Sequence, residues 1–343
     1  MNNISYSQLS AIRMKLGNEI PLDTPYSIYI DPTNFCNFHC SFCPRNLNEF
    51  NKYAGEYKHM DLDLFRKIIS EISLFQKRIK AIKLYYIGEP LLHPNFMEMF
   101  STVCESDCCD RIEISTNGSL LTRDKTIEFL EIAKKFNGTI YLRVSVYAIE
   151  QKHFFDVTAN KMDVKRVYEN IEQFYSLRNH DNVSNVFIYA KKLRTMNNED
   201  ELFLNAYQPI TDEVALEEPM NWSGDGGGED FLLKKEYSNI DLKKLHNNAQ
   251  CPNVCSYLFT TMAIQSDGSV VACCVDWSRK TQYGNVNKNT LQEIWNGERL
   301  KHLRMLHLKG LKSEIDSCRQ CKRIPLDKRD YLDDISNEII ERL

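Results

Sequence analysis

Residues Ser27–Asn46 read SIYIDPTNFCNFHCSFCPRN. The segment opens with SIYI, a short β-branched and aromatic run of the kind that forms a buried strand. It then passes directly into three cysteines, Cys36, Cys40 and Cys43, spaced CxxxCxxC. Thiolates are ligands for soft metals, so zinc and iron–sulfur are the two candidates. A zinc ion needs a fourth protein ligand, which His39 or a distant cysteine would have to supply. An iron–sulfur cube can instead leave one iron open to an exogenous small molecule.

Working outward, five more strand-like runs follow: IKLYYI (82–87), RIEIS (111–115), TIYLRVSVY (139–147), NVFIYA (185–190) and DEVAL (212–216). Helical periodicity separates them, as in Leu62, Phe65, Ile68, Ile69, Ile72 and Phe75 behind the N-cap Asp61. A second helix reads through Val164, Val167, Ile171, Phe174 and Tyr175. Strand–helix alternation at this spacing predicts right-handed βαβ units and a parallel sheet. An open six-stranded partial barrel and a doubly wound sheet both fit, and either binds ligands at the carboxyl ends of its strands. Those ends carry the Cys loop, Gly88-Glu89-Pro90, Thr116-Asn117-Gly118, Arg143 with Ser145, and Lys191, Lys192 and Arg194. Gly-Glu-Pro and Thr-Asn-Gly are each common turn compositions. Their joint placement on one rim of one sheet is the functional signal.

The chain has 343 residues, 43% hydrophobic and 26% charged, with a net charge of −4, ordinary values for a globular protein. No basic block marks a nucleic-acid surface, and no apolar run is long enough for a signal peptide or a membrane span. The expectation is a soluble, cytoplasmic protein without nucleic-acid or membrane partners. Twelve cysteines, grouped by short spacings, then read as metal ligands rather than disulfides.

The Gly-rich stretch 220–229 reads as a loop or linker, and the pattern changes after about residue 236. The run 258–277 predicts a hairpin turning at Asp267-Gly268, followed by an amphipathic helix over 291–308 and a CxxC at Cys318 and Cys321. Cys255, Cys273, Cys318 and Cys321 make a four-thiolate set, with Gly268 allowing the tight turn. Four cysteines suit a closed site, either structural zinc or a fully ligated [4Fe–4S] cube. Cys251 and Cys274 are neighbours that could substitute for Cys255 or Cys273. Cys104, Cys108 and Cys109 read as buried structural residues.

The CxxxCxxC loop after the first strand, Phe42 before its last cysteine, and the Gly88-Glu89-Pro90 and Thr116-Asn117-Gly118 segments resemble the radical SAM enzymes over residues 25–217. That resemblance implies a partial (β/α)6 TIM-like barrel over 26–235, after an N-terminal extension, 1–25. Cys36, Cys40 and Cys43 would hold a [4Fe–4S] cluster whose open iron takes S-adenosylmethionine. Gly88 backbone and the Glu89 carboxylate would meet the methionine ammonium, and Asn117 the ribose. Ser145 would meet the ribose or the methionine carboxylate, and Phe42 the adenine. Ile87 stands where the family carries a further glycine. Residues 236–330 resemble the SPASM/Twitch extension, a small α+β iron–sulfur domain of hairpin and helix, with a tail at 331–343. The spacing around Gly268 and the Gly284-Asn285 to Trp295 segment carry this likeness. Asp327 stands where a further cysteine would extend the set, so one auxiliary [4Fe–4S] cluster is expected.

The pairing of clusters resembles the aminocyclitol alcohol dehydrogenase branch. That likeness implies hydrogen abstraction by a 5′-deoxyadenosyl radical and oxidation of a small-molecule alcohol. Lys191, Arg194 and Tyr147 are the candidate bases, and a flavodoxin- or ferredoxin-type donor would supply the electron. Peptide modification is the alternative. The short segment before the first strand weighs against it, because leader-binding domains are longer. A zinc or iron–sulfur carrier would explain the cysteines but not the strand-end residues.

Overall fold

The computed structural model describes residues 14–47, 50–217, 252–319, 321 and 328–343. The expected loop at 220–229, the boundary near 236, Cys251 and Asp327 lie outside them. Among the described residues nine strands form one sheet: β1 Ser27–Ile30, β2 Ala81–Lys83, β3 Arg111–Thr116, β4 Thr139–Ser145, β5 Val186–Leu193, β6 Glu213–Glu217, β7 Thr261–Ile264, β8 Ser269–Val271 and β9 Gln282–Asn285. Their spatial order is β6-β5-β4-β3-β2-β1-β7-β8-β9. The first six are parallel and run in sequence order without reversal. A doubly wound sheet reverses at a switch point; a barrel does not. The sheet is therefore a partial (β/α)6 barrel, with its helices on one face and its lumen on the other.

Period-two alternation separates the faces. Ile28, Ile30, Ile82, Ile112, Ile114, Ile140, Leu142, Val144, Val186 and Ile188 join the main core with Phe65, Phe100, Phe129 and Phe174 from the helices. The alternate residues are polar or aromatic. Lys83 and Arg111 both pair with Glu113, and Arg143 and Lys191 both pair with Glu217. Burial pushes the Glu113 carboxyl up, but Lys83, Arg111 and Arg143 outweigh it and hold the group at about 2. A charged inner wall suits a chamber that admits a polar substrate rather than a closed core.

The local signals explain the elements. Asp61 caps the helix Leu62–Ile72 by accepting from the backbone N–H of Asp63 and Leu64. The hairpin β7–β8 turns at Gly268, whose φ of +85° lies in the left-handed region. Two expectations change. β2 ends at Lys83, and the chain beyond turns inward to carry Tyr85 and Tyr86. The helix expected over 291–308 breaks at Asn296-Gly297 into Leu291–Trp295 and Glu298–Leu308. Trp295 is anchored there by its indole N–H, which donates to the Leu22 carbonyl at 2.7 Å.

The C-terminal strands extend the barrel sheet. β7 lies parallel to β1, in register from Ser27↔Thr261 to Ile30↔Ile264. The first cysteine loop follows β1, whereas Cys255 precedes β7 and Cys273 follows β8, which runs back antiparallel to β7.

Candidate active site at the carboxyl ends of the strands

The Cys loop is fixed from both sides. Its own turns close through Cys43 N–H to Cys40 O and Asn46 N–H to Cys43 O, both 2.9 Å. The Asn46 amide donates to the carbonyls of His39 and Cys40. The helix Gln151–Thr158 accepts His39 N–H at Thr158 O and Ser41 N–H at Val157 O. Phe38 packs edge-on against Phe154.

The three cysteines belong to one small packed cluster with Phe38 and Phe154. Burial pushes Cys36 up to about 11, with the Glu89 charge adding to it. Cys40 rises further through burial and its two neighbours, and burial raises Cys43. Such thiols become thiolates only when a bound cation compensates them. Arg45 lies in the field of all three, and its Nε and Nη1 are buried without partners. An anionic assembly held by the three sulfurs would satisfy those donors, so the residues present fit an iron–sulfur cluster. Among the described residues no three His, Cys, Asp or Glu converge as a single metal ion requires. A cube spreads its ligands over separate irons and needs no such point.

The Gly88-Glu89-Pro90 and Thr116-Asn117-Gly118 segments lock onto this loop. A Cβ on Gly88 would stand 2.0 Å from Thr33 O and 2.4 Å from Phe35 O, so the position needs glycine for close approach. Glu89 N–H donates to Phe35 O at 2.8 Å. The buried Glu89 carboxylate accepts from Thr116 Oγ1 and Asn117 N at 2.7 Å and from Leu91 N at 3.2 Å. Burial nonetheless pushes it up to about 7. Glu89 therefore ties two strand-end loops together as well as facing the Cys36 side. The Asn117 amide donates to Asn37 Oδ1 at 2.8 Å, and its Oδ1 accepts from Ser119. Sequence reading placed Asn117 for ribose; its side chain here bridges to the Cys loop.

Phe42 stacks at a tilt on Tyr147, with centroids 5.7 Å apart. Burial, then the charges of the nearby thiols, raise the Tyr147 pKa well above the tyrosine range. Ser145 ends β4 in register with Lys191. Lys191 Nζ lies 2.8 Å from Glu217 Oε2. Burial, then the Arg143 charge, lowers the Lys191 pKa, while Glu217 opposes the drop. Arg194 follows β5, its N–H donating to Glu217 O.

Cys255, Cys273, Cys318 and Cys321 all line one cavity, beside Asp276, His307 and Lys312. Burial, then the nearby Cys255 and Cys321, pushes Cys318 far up. Cys274 instead packs with Tyr29, Ala263 and Val271. The chemistry of this donor set fits a fully ligated cluster. Buried Asp276 shapes the wall: Oδ1 accepts from Ser278 and Ser317, and Oδ2 from the N–H and hydroxyl of Thr281.

Four residues escaped the sequence reading. Tyr86 donates to Cys273 O at 3.2 Å, joining the β2 loop to the second cavity. Asp31 is buried, with its Oδ1 unpartnered among the described residues, and burial pushes its pKa up to about 8 against the nearby Ile87 and Gly88 N–H groups and the charges of Arg279 and Arg45. Asp31 directly follows β1 and Arg45 sits inside the cysteine motif; position was the only signal available for either. Tyr86 and Arg279 carried none.

The fold and its two cysteine sites define an iron–sulfur protein built on a partial barrel. Residues 30–192 match the model of the Radical SAM superfamily, and residues 255–322 that of the SPASM iron–sulfur cluster-binding domain. The chain is a radical SAM enzyme with a SPASM domain, and its cofactors are S-adenosylmethionine and two [4Fe–4S] clusters. It is 25% identical over 325 residues to the tungsten-containing aldehyde ferredoxin oxidoreductase cofactor-modifying protein of Pyrococcus furiosus, covering 86% of each chain. It is 20% identical over 307 residues to the S-adenosyl-L-methionine-dependent 2-deoxy-scyllo-inosamine dehydrogenase of Niallia circulans, covering 89% of this chain and 96% of that one. The crystal structure of BtrN in complex with AdoMet and 2-DOIA superposes with a TM-score of 0.57 at 18% identity, over 89% of this chain and 97% of that one. Among the described residues no helix is long and apolar enough to cross a membrane.

Proposed function

We propose that this enzyme oxidises an alcohol on a sugar, cyclitol or other small molecule to the ketone. The observation that carries this reading is the pairing of an incomplete three-cysteine site with a complete four-cysteine cavity, in regions that share one sheet through β1 and β7 and are joined by Tyr86. The likeness to a cyclitol dehydrogenase supports it.

In this reading Cys36, Cys40 and Cys43 hold the S-adenosylmethionine cluster, with Gly88, Glu89, Asn117, Ser145 and Phe42 around the cofactor. Cys255, Cys273, Cys318 and Cys321 hold the auxiliary cluster. Bound together, S-adenosylmethionine and the first cluster supply a 5′-deoxyadenosyl radical, and the auxiliary cluster supplies an electron acceptor. The chain's own part is to orient the substrate and take a proton. Lys191 is the base of choice. Its pKa is lowered, it lines the open inner wall, and it neighbours Ser145 at the carboxyl end. Tyr147 is the poorest of the three candidates, because burial and the thiols oppose its anion. The Arg143, Lys191 and Glu217 wall keeps charged partners ready for polar substituents. The barrel domain is assigned to 26–235, the SPASM domain to 236–330, and the site of action to the cytoplasm.

The test is anaerobic turnover with reductant, S-adenosylmethionine and 2-deoxy-scyllo-inosamine, scyllo-inositol or simple sugars. Substrate-dependent 5′-deoxyadenosine, with one ketone formed per equivalent, is the expected result. Cleavage driven only by a Cys- or Ser-containing peptide would overturn the alcohol reading.

A further inference from the structure

His307 lies on the helix Glu298–Leu308 and is 1% exposed. It lines the same cavity as Cys255, Cys273, Cys318 and Cys321. Its Nδ1 is pinned to the segment that carries the first of these cysteines. Cys255 N lies 3.2 Å from Nδ1, and Asn253 O lies 2.9 Å from it. Asp333 holds that segment in turn, its carboxylate accepting from Asn253 N–H at 2.9 Å and Val254 N–H at 2.8 Å. The imidazole is therefore fixed in place by backbone on its Nδ1 side.

Nε2 is different. It is buried and has no hydrogen-bond partner among the described residues. The two charged side chains that line the cavity with it find their partners in the chain itself. Asp276 accepts from Ser278, Ser317 and Thr281, and Lys312 Nζ donates to Pro252 O at 2.8 Å. A buried polar nitrogen without a partner is costly, and at the wall of a cofactor cavity it calls for a partner inside.

The chemistry of the cavity says what that partner is. Four thiolates and the inorganic sulfides of a cluster fill it with anionic sulfur. Nδ1 stands between a donor and an acceptor, so the 253–255 backbone serves either tautomer. Nε2 decides between them: a bare lone pair turned on sulfur anions is repelled, whereas an N–H is attracted.

We infer that His307 donates a hydrogen bond from Nε2 to a sulfur of the auxiliary cluster and thereby raises that cluster's reduction potential. The inference rests on the reading that the four-cysteine cavity holds this cluster, and it deepens the cluster's part as electron acceptor. A donor to sulfur stabilises the reduced, more negative cluster more than the oxidised one, so the cluster takes up its electron more readily. His307 is a tuning group in this arrangement and not a fifth ligand; the four cysteines keep the irons.

The test uses the full chain carrying Cys36→Ala/Cys40→Ala/Cys43→Ala, labelled with 15N-histidine and reconstituted anaerobically, so that only the auxiliary cluster is present. Pulsed electron paramagnetic resonance of the reduced cluster should show a weak 15N coupling and an exchangeable proton coupling that is lost in D2O. Both should vanish in His307→Phe. A potentiometric titration should show reduction at least tenfold less favourable in His307→Phe, a fall of about 59 mV for one electron. His307→Gln, which can offer an amide N–H, should fall between the two. The labelled spectrum needs no substitution in the cavity, so it decides the matter even where His307→Phe loses its iron. Absence of any 15N coupling would overturn the hydrogen bond. So would a strong coupling, which marks nitrogen bound directly to iron. Equal potentials in all three proteins would overturn the tuning. A triple-cysteine variant that folds but takes up no iron would overturn the cluster assignment of the cavity, and this inference with it.

Discussion

Replacing Gly88 with alanine puts the construction of the site to its sharpest test. The new Cβ would lie 2.0 Å from Thr33 O, 2.8 Å from Thr33 C and 2.4 Å from Phe35 O. All three are backbone atoms, so no side-chain rotation relieves the overlap. Gly88 is not among the described glycines with left-handed φ, so contact alone decides the outcome. The Gly88-Glu89-Pro90 segment must retreat from the Cys loop by more than 1 Å to reach ordinary contact at 3.4 Å. Overpacking of this kind costs about 1–3 kcal/mol. The retreat also breaks the 2.8 Å bond from Glu89 N to Phe35 O, worth about 1 kcal/mol. The expected destabilisation is about 2–4 kcal/mol, a fall in melting temperature of roughly 4–8 °C. Gly310→Ala is the control: φ is +73° with nothing within 4 Å, so only backbone strain of about 1 kcal/mol applies. Melting of the ligand-free protein and iron content after anaerobic reconstitution are the assays. A Gly88→Ala protein that melts within 1 °C of wild type and retains full iron would refute the close-approach argument.

Cys36→Ala/Cys40→Ala/Cys43→Ala should lose about half of the reconstituted iron and all S-adenosylmethionine cleavage. Cys318→Ala/Cys321→Ala should lose a similar share of iron yet keep cleavage, with product formation blocked; iron assay and 5′-deoxyadenosine quantitation separate the two. Asp31 sets a pH dependence in the ligand-free protein. Its folded pKa, raised by burial to about 8 from an ordinary 3.8, means its contribution is fully present below 3.8 and lost as pH rises through 8. The full range is worth on the order of 5 kcal/mol at most. Asp31→Asn removes the titrating group at nearly the same size, so melting from pH 5 to 8 should show a flatter fall than wild type. Asp276→Ala leaves the Ser278, Ser317 and Thr281 donors without their shared acceptor and should cost at least about 3 kcal/mol. Its auxiliary cluster should be the one lost, as read by electron paramagnetic resonance.

Local chemistry made much of this legible in advance. SIYI matches β1 residue for residue, and Asp61 announced its helix because an N-cap acts over only three residues. The rim segments were legible because turn residues mark strand ends. What sequence could not show was contact across long separations. The pairing of β1 with β7 joins residues more than 230 positions apart, and no periodicity encodes a partner. Cys273 and Cys274 could not be told apart by spacing, because both lie where the chain turns just after β8. One lines the cavity and the other packs on Tyr29. Asn117 was read as a ribose contact; its bonds to Asn37 and Ser119 are tertiary contacts that the sequence did not show.

The β1–β7 pairing also bears on how two sites can cooperate. If the C-terminal module were tethered by a linker alone, the distance between its cysteines and the Cys loop would vary with every motion. Parallel hydrogen bonding from Ser27↔Thr261 to Ile30↔Ile264 removes that freedom, because the register cannot slip without turning buried side chains to the other face. Asp31 N–H continues the ladder to Ile264 O at 2.9 Å, immediately before the first cysteine loop begins. On the other side, Gly268 turns the chain back through β8 towards Cys273. Tyr86 then closes the triangle from β2 by its bond to Cys273 O. Phe50 stacks on Trp277 at 5.7 Å, so the segment after the Cys loop is also clasped to the segment after Cys273. Both cysteine sites are therefore positioned by one sheet. Any change that loosens β7 from β1 should degrade their cooperation before it degrades either site alone.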